Sequence, residues 1–353
     1  MDIAKKIKQL RGKVGLTQEQ LAGKLGISAQ SVSKWENAVT MPDITLLPML
    51  AGELGVTIDE LFDLTVEQRL HRLERRLDVE EDLPPEIFKE YEDFLKIQRT
   101  EGKNATQIYS LLAKLYHHRI EADAKRVQKY ARTAILRNPE QKDCQWLLQK
   151  AEGASVWDWN MGNHTTTIEF YKEVITHDRV TPQTPLPYYE LMDNLIADHR
   201  TEEAKHYLEI YQTLPAHKPF LVPVYQAHIA LAEFDTKKAD TVMAEAEIRF
   251  GTDSGFLFEY AQYHARKCEY RSAIEYYERA WKLEENKKPR YTDALHGIAT
   301  IYEILGEYRL AAQTYDRMLT CIQDEWGYTI EDAAVQEAER EKQRLLQKAI
   351  GQP

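Results

Sequence analysis

The 353-residue sequence predicts an all-α protein: an N-terminal bundle of about five short helices, a helical linker, and an α-solenoid of helix pairs. Three observations predict this. Only 15 Gly and 13 Pro are present, and they cluster at short joints, which favours long helices over a strand-rich fold. Apolar residues recur at three and four positions through most of the chain, the period of a helix with one buried face. Beyond about residue 105 the pattern repeats roughly every 34 residues, with two helices in each unit.

In chain order, Ile3, Ile7 and Leu10 set the first helix, with Gly12 and Gly15 expected to end it. Thr17 with Gln20 three residues later is a capping-box pattern that starts a second helix. Its apolar face is Leu21, Ala22 and Leu25, and Gly26 stops it. Ser28 caps a third helix running to about Glu36. Pro42 and Asp43 open a fourth through Leu46, Leu47, Leu50, Ala51 and Leu54, and Ile58, Leu61 and Phe62 close the bundle, assigned to residues 1–64.

Residues 65–104 read as a helical linker. Val66, Leu70, Leu73 and Leu77 form a stripe that Asp82-Leu83-Pro84-Pro85 interrupts before a second helix, FKEYEDFLKIQR. The stripe is too short for a sustained coiled coil, and a contribution to a dimer seam is a second reading of it. Residues 105–329 carry the repeats. Their alignable alanines are Ala204, Ala239, Ala273 and Ala311, at spacings of 35, 34 and 38 residues. Weaker copies are ADAKRVQKYARTAILRNPE and TTIEFYKEVITHD, giving about six helix pairs in all. Residues 330–353, with Ala333, Ala334, Ala338, Leu345 and Leu346, read as a terminal capping helix. The segment from Trp157 to Asn163 interrupts the pattern and reads as an irregular packed connection, with an interaction loop as the other reading.

The net charge of −11 conceals an asymmetry. From Met1 to Asn37 seven basic residues stand against three acidic ones, a net of +4, whereas Ala38 to Leu64 holds five acids and no base. Such a basic half backed by acidic surface suits steering toward a polyanion. Cys144, Cys268 and Cys321 lie far apart, with neither metal-knuckle nor disulfide spacing, and read as buried or part-buried thiols in a reducing compartment. The N-terminus lacks the apolar core of a signal peptide, and no stretch reaches the roughly twenty apolar residues of a membrane span. A cytoplasmic protein is expected. No phosphate loop, dinucleotide loop, HExxH or GxSxG pattern occurs, and His117-His118 has no companion ligands. The chain is therefore expected to be neither an enzyme nor a holder of cofactor or metal.

The stretch LTQEQLAGKLGISAQSVSKWENAVTMPD (Leu16 to Asp43) resembles the helix-turn-helix of the Cro and phage-repressor family, and the likeness covers the first domain. Two helices joined through Gly26-Ile27 bury Leu21, Ala22, Ile27, Val32 and Trp35, leaving Ser28, Ala29, Gln30, Ser31, Ser33 and Lys34 to point outward. A small polar face on a slim helix suits the major groove better than it suits packing. The resemblance implies that Gln18 anchors a phosphate and that Ala29, Gln30 and Lys34 meet bases. Gln30 would pair with adenine, Lys34 would donate to guanine, and Ala29 would touch a thymine methyl. Ser31 and Ser33 would touch phosphate, or a base edge through water. Asn37 would contact phosphate. Trp35 reads as core and Glu36 as surface or an ion-pair partner. Such readers span two half-sites, so double-stranded DNA and a homodimer are the expected partners.

The repeats resemble the tetratricopeptide repeat, whose first helices line a groove. Matched to it, Tyr189, Asp193, His228, Phe258, Gln262, Arg266, His296 and Glu303 would face a peptide or protein ligand. Regulators that join the two modules resemble bacterial peptide-pheromone sensors, which clamp peptide backbone with Asn; none of these eight positions is Asn. The function expected is a transcription regulator, and the alternative is an adaptor with weak or vestigial DNA binding.

Overall fold

In the computed structural model, residues 3–62, 65–100, 105–153, 163–176 and 184–351 are described. Every regular element among them is helical, and the chain divides into two compact units, 1–126 and 127–353. Among the described residues no helix is long and apolar enough to cross a membrane.

The first unit opens with α1 (Ile3–Lys13), α2 (Gln18–Leu25), α3 (Ala29–Glu36), a 3-10 turn (Ile44–Leu46), α4 (Leu47–Glu53) and α5 (Ile58–Leu61). α1 runs straight through Gly12, so only Gly15 turns the chain, in the left-handed region at φ 72°. The Thr17 capping box forms: Thr17 Oγ1 accepts from the Gln20 N–H at 3.1 Å, and the Thr17 N–H donates to Gln20 Oε1 at 2.8 Å. Two backbone donors that a helix start leaves orphaned are thereby satisfied. Ile7, Leu21, Val32, Leu50 and Leu61 are fully buried in one core with Leu25 and Trp35, and Ile27 packs on it half-buried. Each such aliphatic side chain contributes about 1.5–3 kcal/mol by leaving water, so this small bundle rests on a handful of residues.

α6 (Val66–Val79), α7 (Pro85–Thr100) and the start of α8 (Ala105–Arg137) build a separate core. Leu70 and Leu73 are buried there against Phe88, Tyr91, Leu95, Ile108 and Leu111, with Leu77 packed alongside. Leu70, Leu73 and Leu77 of the stripe are thus covered within the chain, as a linker helix requires, and the second reading as a dimer seam loses them. Arg69 joins it, nearly buried, with its guanidinium 4.0 Å over the Phe94 ring. The proposed copy at residues 122–140 lies largely on α8, a 33-residue helix without the turn that a helix pair needs.

The second unit continues through α9 (Lys142–Ala151) and α10 (Thr165–Thr176), where most of the other weak copy lies. Four helix pairs follow: α11 (Leu186–Ala197) with α12 (Thr201–Tyr211), α13 (Leu221–Ala232) with α14 (Thr236–Phe250), α15 (Ser254–Arg266) with α16 (Tyr270–Leu283), and α17 (Asp293–Ile304) with α18 (Tyr308–Asp324). Among the described residues these four replace the six expected. α19 (Ala333–Ile350) closes the series, burying Val335, Ala338, Leu345 and Ala349, while Ala334 is exposed. The expected loop from Trp157 lies outside the described residues apart from Asn163.

The repeat has a physical cause at two positions. Ala204, Ala239, Ala273 and Ala311 are all fully buried, since a methyl is what lets paired helices approach closely. Five residues before each of them the chain turns through the left-handed region, at His199, Phe234, Cys268 and Gly306, with φ between 55° and 74°. The residue after each turn donates its N–H back into the first helix, as from Glu269 to His264 O at 2.9 Å and from Glu307 to Tyr302 O at 2.8 Å. Only the last turn carries the residue without a Cβ penalty. Cys268, expected to be at least part-buried, is exposed because it occupies such a turn, whereas Cys144 is half-buried and Cys321 buried. Replacing Gly306 by Ala is expected to cost about 1 kcal/mol, and Cys268→Gly to gain a similar or smaller amount. Thermal unfolding of the full chain should move Tm in opposite directions for the two.

Candidate nucleic-acid interface and the face of the first helices

α3 is fixed from three sides. Ser28 Oγ accepts from the Ser31 N–H at 3.2 Å and starts it, Val32 and Trp35 anchor its inner face, and Asn37 Nδ2 donates to Ser33 O at 2.8 Å and ends it. Gly26, at φ 66°, and Ile27, whose N–H donates to Ala22 O at 3.0 Å, set the turn from α2 into α3.

The candidate residues divide on this helix. Gln30 and Lys34 are exposed, one turn apart, and Ser28 and Asn37 are exposed at its two ends. Ala29, expected to point outward, is instead half-buried against the domain core. Ser31 is half-buried and its hydroxyl lies 3.0 Å from that of Ser28. Ser33 is half-buried too, with its Oγ 3.4 Å from Asn37 Nδ2. The outward face is therefore narrower than the sequence suggested.

Beneath it lies a network the sequence reading missed. Glu36 is only 7% exposed, so the surface alternative for it falls. Arg11 grips it with two bonds, Nε to Oε1 at 2.6 Å and Nη2 to Oε2 at 2.9 Å, while Arg11 Nη1 donates to Leu16 O at 2.7 Å. Gln18 Nε2 donates to Glu36 Oε2 at 2.7 Å. Burial pushes the Glu36 carboxyl upward, but the bonds from Arg11 and Gln18, with the charges of Arg11 and Lys8, outweigh it and hold the group below the usual carboxylate range. The network ties α1, the start of α2 and the end of α3 together. It also orients Gln18, whose carbonyl and second N–H remain for other partners. The cation tally shrinks as well, since Arg11 is committed to Glu36 and Lys24 to Glu53 at 2.6 Å.

In the second unit, α11 packs on α13 and α13 on α15, so first helices lie side by side. Tyr189 stacks on Tyr225 with rings 6.4 Å apart, and the Asp193 carboxylate accepts from the Tyr225 hydroxyl. Phe258 meets Tyr277 edge-on at 5.3 Å, Gln262 is half-buried, and Arg266 and His296 are exposed. His228 is 6% exposed and its Nε2 has no hydrogen-bond partner among the described residues. Burial, with the Arg266 charge, depresses its pKa to about 3, so it is neutral. Glu303 is withdrawn from the expected groove. Arg344 of α19 grips it with two bonds, at 2.6 and 2.7 Å, and Lys348 adds a third at 2.9 Å. The sequence reading also missed Glu259, which interacts electrostatically with Asp193 and Arg266. Its place beside Phe258, at helical spacing from Gln262 and Arg266, was the available signal. Among the described residues no group of three or more His, Cys, Asp or Glu is placed to hold a metal, and His118 spends its Nε2 on Glu80 O at 2.6 Å.

Residues 7–61 match the family model described as Helix-turn-helix, and the first domain is a helix-turn-helix domain. The chain is similar to the HTH-type transcriptional activator BcrR of Enterococcus faecalis, 43% identical over 61 residues, which cover 17% of this chain and 30% of that protein. The match thus spans under a third of the relative's length. Among solved structures, PlcR of Bacillus thuringiensis in complex with the peptide PapR7 and DNA is 16% identical, covering 80% of this chain and 94% of that one, with a TM-score of 0.25. ComR from S. thermophilus in complex with DNA and its signalling peptide ComS is 15% identical, covering 90% and 99%, with a TM-score of 0.22.

Proposed function

We propose that the chain is a sequence-specific DNA-binding transcription regulator that reads the major groove with α3, and that it is not an enzyme. The observation that carries this is a capped, core-anchored helix presenting Gln30 and Lys34 to solvent inside a helix-turn-helix domain. The 43% identity of that segment to a transcriptional activator supports it. Gln30 and Lys34 meet base edges. Ser28, Ser31, Ser33 and Asn37 meet phosphate or bridge through water, and Gln18, held by Glu36, presents its remaining amide to phosphate at the start of α2. Ala29 is limited to a methyl contact by its half-burial.

In this reading residues 1–64 are the reader, 65–104 connect it, 105–329 form the repeat domain and 330–353 cap it. The protein acts in the cytoplasm as a homodimer, since such readers engage two half-sites. The repeats bind a peptide or protein on the face of their first helices, through Tyr189, Asp193, His228, Phe258, Gln262, Arg266 and His296, and that occupancy shifts operator affinity. Selection of bound duplexes from a random DNA pool by the full chain at physiological salt tests the central part. Enrichment of an inverted repeat with half-sites about one helical turn apart is expected. An unenriched pool, in the presence and absence of added peptides, would overturn it.

A further inference from the structure

A cleft of about 290 Å³ opens where the starts of α13, α15 and α17 meet the end of α16. At the low end of ligand pockets, which hold about 300–1,000 Å³, it is sized for one side chain rather than a whole small molecule. Its walls include Phe220, Phe258, Trp281 and Tyr291, and its polar lining is mainly acidic. Glu284 is engaged by Ser254 Oγ at 2.9 Å and by Lys287 Nζ at 3.9 Å, whereas among the described residues no ion pair within 4 Å is formed by Glu259 or Asp293. Lys218 is the cation in the lining, its Nζ 6.0 Å from the Phe220 ring centroid, and Arg290 lies 4.1 Å over the Trp281 ring, so the rings already draw cations of the chain itself. Aromatic faces with carboxylates between them form an environment that attracts ammonium and guanidinium groups.

The neighbouring first-helix face shows the same excess of negative charge. Glu259 and Asp193 are both held above the usual carboxylate range, by burial first; Asp193 raises Glu259 further, Arg266 counters both, Lys218 also counters Glu259, and the Tyr225 hydrogen bond counters Asp193. His228, nearly buried with an unpartnered Nε2, interacts with the same Arg266. It is neutral, so it adds no competing positive charge. A cation seated beside Glu259 would act against that upward shift.

We propose that this cleft seats a cationic group of the ligand, an ammonium or a guanidinium, with Glu259 and Asp293 as its counter-ions and the four aromatic rings as its walls. The inference rests on the peptide reading only for the source of that cation, which is either a Lys or Arg side chain or a free N-terminus.

Two measurements on the full chain test it. In the first, n-butylammonium and methylguanidinium are titrated while the indole N–H resonance of Trp281 is followed. Saturable shifts are expected, with the midpoint moved about tenfold or more in the Glu259→Gln, Asp293→Asn double variant. That variant should keep the wild-type Tm. Absent shifts, or equal midpoints in wild type and variant, overturn the cation site. In the second, random octapeptides are selected for binding as a free-amine pool and as an N-acetylated pool. Lys or Arg enriched in both pools assigns a side chain; retention from the free-amine pool alone assigns the N-terminus. Retained peptides without either preference overturn the cation site and leave the peptide reading intact. Small-cation binding with no peptide retained does the reverse.

Discussion

Arg11→Ala is expected to destabilise the first domain by about 3–5 kcal/mol, the cost of leaving a buried charge without its partner. Glu36 would keep the Gln18 amide, at 2.7 Å, as its hydrogen-bond partner, with the charge of Lys8 beyond it. Neutralising both groups together, as Arg11→Met with Glu36→Leu, should cost far less, because no unpaired charge remains. Amide exchange at Leu21 and Val32 in the full chain would report this domain without interference from the repeats. Comparable losses of protection in the single and double variants would contradict the account. The pair also fixes an acid dependence. Since the Glu36 pKa is lowered on folding, its stabilisation is complete above the unfolded carboxylate value, about 4.3, and is lost as pH falls through the lower folded value. Arg11→Ala should weaken that acid sensitivity.

The second large effect concerns DNA. On an enriched duplex, Gln30→Ala and Lys34→Ala are each expected to cost about 1–3 kcal/mol, roughly 5- to 150-fold in affinity. Both side chains are exposed, so folding should be unaffected. If Lys34 meets phosphate rather than a base, its removal should lower affinity evenly across sequences and reduce the salt slope by about 1. Affinity for the enriched duplex unchanged in both variants would contradict the role given to α3.

The first domain was legible because its signals are local. The Thr17–Gln20 box, the left-handed Gly26 and the Ser28 cap each act over a few residues, and each forms as read. What was not legible depends on partners distant in the chain. Arg11 and Glu36 are 25 residues apart and meet only because α1 packs on α3. Glu303 has the spacing of a groove residue, yet a helix some 40 residues later takes it. The stripe Val66, Leu70, Leu73, Leu77 gives a helical face without saying what covers it; α7 and α8 cover Leu70, Leu73 and Leu77, while Val66 stays exposed. Two misreadings were avoidable, the copy placed on α8 and the burial expected of Cys268, which sits in a left-handed turn. No Gly or Pro lies between Ala105 and Asn138 to break α8 into a pair, and the spacing of the left-handed turns is the spacing of the buried alanines. At the reading face, the half-burial of Ala29 follows from the angle at which α3 meets the core, which helical periodicity alone leaves open by one position.

Groove reading by α3 is tested most directly by the base-by-base preference of Gln30→Ala, obtained by repeating the random-duplex selection with that variant beside the unaltered chain. If α3 reads the groove, preference should relax at one or two positions in each half-site and persist at the others. A preference profile identical to that of the unaltered chain would contradict it.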